Sequence, residues 1–113
     1  MHEVALAEGV LRIVADVART HAVTRVRAVR LELGTLSHVE PEALAFCFDA
    51  VARGSVAEGA TLEIERTAGA AWCMPCAARV PLARAGDACP RCGGYQLQIV
   101  GGDEMRVRDI AVA

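Results

Sequence analysis

The sequence lacks the features of several broad protein classes. No apolar run approaches the roughly 18 to 20 residues that span a bilayer, and charged residues interrupt the N-terminal segment, so no secretory signal is expected. Charge of one sign is also lacking, because the net charge is −2 and the arginines are scattered among acidic residues. We therefore expect no membrane partner, no nucleic-acid partner and a cytoplasmic location.

Catalytic motifs are missing as well. The sequence shows no nucleophile paired with a base and no glycine-rich loop of the kind that holds phosphate groups. We therefore predict that the chain is not an enzyme. Its 113 residues suffice for one compact domain with a small appended module, and its apolar content of 54% predicts that this domain folds.

Apolar spacing predicts two helices. Leu6, Val10, Ile13 and Val17 recur at helical intervals and predict an amphipathic helix from Glu3 to about Thr20. The second helix should begin near Pro41 and end at residues 53–54, with an apolar stripe made of Leu44, Phe48 and Val51.

Alternation of apolar and polar residues predicts strands at 26–33, 62–65, 95–99 and 105–112. Glycines at 101–102 and Asp103 supply turn chemistry, so the last two strands should form a hairpin. The predicted fold class is α+β: two helices packed on a small, mainly antiparallel sheet.

Four of the five cysteines form two Cys-x-x-Cys knuckles, at Cys73 and Cys76 and at Cys89 and Cys92, twelve residues apart. Each knuckle presents two thiolates to one ion, and two knuckles complete the tetrahedron that zinc prefers. We predict a structural Zn(II) with no open position for catalysis. An iron site would use the same thiolates and stays open, whereas dithiol redox chemistry would need only one knuckle.

The cysteine segment also sets the predicted domain boundaries. Between residues 70 and 95 the chain is rich in small residues, cysteine and proline and shows no long helix or strand. We expect an inserted zinc-ribbon module at 70–95 and a separate α/β domain at 1–69 and 96–113. Cys47 lies outside the ribbon, on the second predicted helix, and is expected in the core.

The chain opens with Met1, His2 and Glu3. The imidazole of His2, the amides of His2 and Glu3 and the amine of Met1 are nitrogen donors of the kind that Ni(II) accepts in planar geometry. From these residues alone the signal is weak, because a terminal histidine is ordinarily solvated. His21 and His38 are interpreted as structural or solvated.

Several segments together resemble the HypA/HybF family of hydrogenase nickel-incorporation proteins. They are MHE at the start, LELGTLSHVEPEALAFCFDAV at 31–51, the cysteine spacing and GDEMRVRDIAV at 102–112. The resemblance implies a metallochaperone that holds transferable Ni(II) on His2 in the α/β domain, with Glu3 as the neighbouring residue of the motif. It implies Zn(II) on the four cysteines. It also implies two partners, a HypB-type GTPase and the hydrogenase large subunit.

The competing hypothesis is a zinc-ribbon module that binds nucleic acid or protein. Arg79, Arg84 and Arg91 lie in or beside the ribbon and favour it, whereas an aromatic content of 4% leaves few side chains on which bases could stack. A third class, the thiol oxidoreductases, would require an exposed cysteine of low pKa.

Overall fold

The structure is a computed structural model that describes residues 2–113. Within that range the elements are α1 (His2–Thr20), β1 (Val26–Gly34), α2 (Pro41–Val51), β2 (Thr61–Thr67), β3 (Ala70–Cys73), β4 (Ala78–Pro81), β5 (Leu97–Gly101) and β6 (Met105–Val112). The strands form two three-stranded sheets, ordered β2-β1-β6 and β4-β3-β5. The predicted α+β class with a ribbon module is confirmed. No helix among the described residues is long and apolar enough to cross a membrane.

The buried face of helix α1 only partly matches the predicted one, since Val10 belongs to both. Its buried residues are Ala7, Val10, Val14 and Ala18, whereas the side chains of Ile13 and Val17 are 48% and 37% exposed. Both sets have helical spacing, so periodicity could not choose between them. Helix α1 packs against α2, and small residues on the buried face allow two helices to approach closely.

Helix α2 begins at Pro41 as predicted and ends at Val51, two residues before the predicted end. Pro41 occupies the first turn, where its missing N–H removes no helical hydrogen bond, and the Glu40 carboxylate caps the helix by accepting from the Glu42 N–H. The helix ends as the Ala52 N–H donates to the Phe48 carbonyl. Leu44 and Phe48 are buried as predicted, and Cys47 is also buried, which confirms its assignment to the core.

The chain forms two compact units. The first contains the described residues up to Leu31, with Val39–Glu65 and Arg106–Ala113, and the second contains Glu32–His38 and Arg66–Met105. In the first unit, β1 contributes buried Val26, Val29 and Leu31, and its two arginines are exposed. The predicted boundaries of an independently folding ribbon, 70–95, stay a prediction.

The predicted hairpin between the last two strands is wrong. Strand β5 pairs antiparallel with β3, with Leu97 opposite Cys73, whereas β6 belongs to the sheet of β1. Gly102 separates the two strands: it has φ +81, and its carbonyl accepts the N–H of Leu36 instead of closing a turn. Strands β3 and β4 went unpredicted because four residues are too few to reveal a period of two.

Candidate metal centre

The second unit brings together the four predicted cysteines. The sulfurs of Cys73, Cys76, Cys89 and Cys92 all lie within 4.8 Å of one another. Among the described residues this is the one group of three or more histidine, cysteine or acidic side chains with such spacing. All four thiols are free of disulfide bonds, so each can offer a thiolate to the same ion.

Local structure explains how each knuckle reaches this point. Strand β3 ends at Cys73 and β4 begins at Ala78, so the first knuckle is the turn of a β-hairpin. The second knuckle is closed by two backbone hydrogen bonds: the Gly93 N–H donates to the Cys89 carbonyl at 2.9 Å, and the Cys89 N–H donates to the Gly94 carbonyl at 2.8 Å. Gly93 has φ +74, which glycine adopts without steric penalty.

The spacing of the sulfurs fits a tetrahedral metal site. Zinc–sulfur bonds of about 2.3 Å in a tetrahedron require neighbouring sulfurs about 3.8 Å apart. The Cys73 and Cys92 sulfurs are 3.6 Å apart, and those of Cys76 and Cys89 are 4.0 Å apart. The cluster could therefore hold a four-coordinate ion with little rearrangement.

Amide groups prepare one cysteine for ionisation. Backbone N–H groups of Cys92 and Arg91 point at the Cys89 sulfur and lower the pKa of Cys89 to about 6 in the metal-free thiol cluster. By contrast, the hydrogen bond with the Cys73 thiol and burial raise the pKa of Cys76 to about 12. Cys89 is thus the first of these two thiols to offer a thiolate.

The cluster has a buried side and an exposed side. Cys73 and Cys89 lie in an apolar core with Leu36, Ala71, Val80 and Leu82, whereas Cys92 is exposed to solvent. Apolar packing holds two ligands in place, and the solvent-facing cysteine leaves a short path by which an ion could enter.

The other predicted metal site lies at the start of α1. The His2 side chain is 61% exposed, and its Nδ1 lies 3.8 Å from a carboxylate oxygen of Glu3. Met1, the third predicted contributor, lies outside the described residues. His21 and His38 are exposed and belong to no metal-binding group among residues 2–113.

Comparison with known proteins identifies the family. The sequence pattern of the HypA family, described as "Hydrogenase/urease nickel incorporation, metallochaperone", matches residues 1–112. The chain belongs to the HypA family. That family includes the hydrogenase maturation factor HypA of Albidiferax ferrireducens, which is 58% identical over 112 residues, 99% of each chain. The hydrogenase maturation factor HypA of Dechloromonas aromatica is 55% identical over the same length and coverage.

Solved HypA structures share the fold. The solution structure of the Ni metallochaperone HypA from Helicobacter pylori superimposes with a TM-score of 0.71 at 18% identity, covering 97% of this chain and 96% of that one. A second solution structure of a HypA protein gives a TM-score of 0.72 at 21% identity, covering 100% and 97%. At this identity the likeness concerns the fold.

Sequence reasoning missed one residue that packs against the candidate metal centre. Leu36 lies far from the cysteines along the chain, yet its buried side chain joins their apolar core. Its N–H donates to Gly102, and the neighbouring Thr35 N–H donates to Thr67. Its position after β1 gave no local signal, because only the tertiary fold brings residues 32–38 into the second unit.

Proposed function

We propose that this chain is a nickel metallochaperone that binds Ni(II) at its N-terminus through His2 and delivers it during the maturation of nickel–iron hydrogenase. Membership of the HypA family over residues 1–112 carries the proposal. The Helicobacter pylori protein that shares this fold is a nickel metallochaperone. A cytoplasmic location accords with this function.

The position of His2 in α1 supports the proposed nickel site. The first N–H groups of a helix have no acceptor within the helix, so the amides of His2 and Glu3 are free of helical hydrogen bonds. Their nitrogens and the exposed imidazole of His2 make a donor set that suits planar Ni(II). The amine of Met1 is the proposed further donor.

For the four-cysteine cluster we propose structural Zn(II). Four thiolates with tetrahedral spacing complete the coordination shell and leave no open position for a substrate. The second unit is small, so ion binding would supply much of its folding free energy.

The proposed partners are a HypB-type GTPase and the hydrogenase large subunit. We also propose that the chain itself catalyses no reaction. The cysteine cluster is a closed site, and the sequence has no phosphate-holding loop. Nucleotide hydrolysis would therefore be the partner's contribution.

The decisive test compares two histidines at opposite ends of the same helix. We expect His2→Ala to abolish stoichiometric nickel binding while zinc content stays unchanged, because residue 2 lies outside the cysteine cluster. His21→Ala removes another exposed imidazole and should leave nickel binding intact. Metal analysis after nickel exposure and dialysis measures both, and the same preparations should hydrolyse no GTP. Undiminished nickel in the His2→Ala protein would refute the site.

A further inference from the structure

The second sheet has an outward face with an exposed tryptophan at its centre. Trp72 on β3 lies directly opposite Arg79 on β4 and Gln98 on β5, and directly opposite residues in antiparallel strands share a face. Ala71 and Cys73, on either side of Trp72, are buried in the core around the cysteines. Trp72 therefore projects away from that core, and its side chain is 41% exposed.

Small residues next to Trp72 make room for the Arg79 side chain. Ala70 lies opposite Pro81 on one side and Gly101 on the other. Nη2 of Arg79 is 3.2 Å from the position a β-carbon would take on Gly101. The guanidinium thus reaches across β3 to the far strand, on the face that carries Trp72.

The guanidinium of Arg79 has no carboxylate partner within residues 2–113. Arg30 and Arg108 of the first unit differ, since they pair with Asp109 at 2.6 Å and Glu65 at 2.9 Å. Arg79 instead borders a cavity of about 320 Å³, whose other lining residues are small or apolar: Ala68, Gly69, Ala70, Val80 and Pro81.

These features indicate a recognition surface for a peptide. Tryptophan and arginine are the side chains that most often anchor protein interfaces, and a free guanidinium binds a carboxylate through two parallel hydrogen bonds. Met74 lies two residues beyond Trp72, where its N–H donates to the Gln96 carbonyl, and its 62% exposure adds an adaptable apolar surface. A nucleic-acid backbone would require several cations, whereas this face presents Arg79 beside Gln98 and apolar groups.

We infer that Trp72, Met74 and Arg79 form a docking surface for an extended acidic segment of a partner protein. A carboxylate of that segment pairs with Arg79, and a large apolar side chain beside it packs on Trp72 and Met74. This surface lies outside the proposed nickel donors, so it holds or fails independently of the nickel proposal.

A peptide selection tests the surface. Random linear peptides displayed on phage are selected on the zinc-loaded full chain, and the enriched peptides should carry Asp or Glu beside a large apolar residue. One selected peptide is then synthesised. Trp72→Ala and Arg79→Ala should each raise its dissociation constant about tenfold or more, as loss of an interface anchor does. Arg79→Glu should shift the selected peptides from acidic to basic.

Matched controls and contrary outcomes are available within the same chain. Phe46→Ala removes an aromatic side chain that is 77% exposed on α2, and Arg84→Ala removes an exposed cation of the second unit, so both should bind the peptide normally. Unchanged zinc content shows that each variant is folded. The His2→Ala chain should select the same peptides. Failure to enrich peptides, equal binding by all variants, or Arg79-dependent binding of oligothymidylate in place of peptide would overturn the inference.

Discussion

Ala77 follows the second cysteine of the first knuckle and holds a left-handed backbone conformation, with φ +48. The matching position in the second knuckle is Gly93, with φ +74. For alanine this conformation costs about 1–2 kcal/mol, whereas glycine adopts it freely. The two knuckles therefore require the same left-handed backbone conformation but place different residues there. The first knuckle carries local strain because its residue is alanine.

We predict that Ala77→Gly tightens zinc binding and that Gly93→Ala weakens it. No atom lies within 4 Å of a β-carbon placed on Gly93, so the second change acts through the backbone alone. Each net effect should be about 1 kcal/mol, or about fivefold in the zinc dissociation constant, because the proposed structural zinc would couple the folding of the ribbon to metal binding.

Competition with a chromogenic chelator measures both constants. Ala78→Gly is the control, since Ala78 lies in β4 and has no positive φ. It introduces the same chain flexibility without relieving strain and should not tighten zinc binding. If it tightened zinc binding as much as Ala77→Gly, backbone strain at Ala77 would be excluded as the cause.

At the scale of elements, α1 decides which of two apolar faces supports the first unit. Val14 is fully buried, whereas the adjacent Ile13 is 48% exposed. Val14→Ala should lower the free energy of unfolding by about 2 kcal/mol, through lost burial and a residual cavity. Ile13→Ala should change it by less than about 0.5 kcal/mol, because the removed atoms are partly hydrated and alanine favours the helix.

Urea denaturation followed by helical circular dichroism compares these two variants directly. The substitutions are neighbours on one helix, so differences in local helix propensity are small beside the expected difference in burial. If Ile13→Ala lowered the free energy of unfolding more than Val14→Ala does, the burial of Val14 would be contradicted. The apolar stripe predicted from periodicity would then be favoured.

At the scale of the whole molecule, loss of the proposed zinc should unfold the second unit and leave the first unit folded. Cys73→Ala or Cys89→Ala should eliminate stoichiometric zinc and disorder the second unit, since its apolar core includes both cysteines. The first unit has its own buried residues on α1, α2 and β1, so most helical signal should survive.

Backbone amide spectra with residue assignments check this separation, and Cys47→Ala is the control. Cys47 is buried on α2 outside the metal cluster, so its removal should leave zinc content unchanged. If the cysteine variants lost the helical signal as well as the structure of the ribbon, the two units would unfold as one. The predicted module boundaries at residues 70–95 would then be wrong.

Local patterns were sufficient for the elements that depend on neighbouring residues. The start of α2 followed from Pro41, and β1 followed from alternation around Val29 and Leu31. The metal cluster was predictable for the same reason: a knuckle positions two sulfurs by local chain geometry, and the second knuckle can then reach the same ion. Family membership was also predictable from the sequence, because the matching segments occur in the same order along the chain.

The sequence by itself therefore determined the helices, the longer strands, the four clustered cysteines and the family. Only the tertiary structure decided which face of α1 is buried, that β5 joins β3 and not β6, and that Leu36 packs in the cysteine core. It also set Arg79 across the small residues beside Trp72. The physical reason is that these choices depend on contacts between distant segments, where two apolar faces or two strand edges compete. Local sequence patterns do not choose between them.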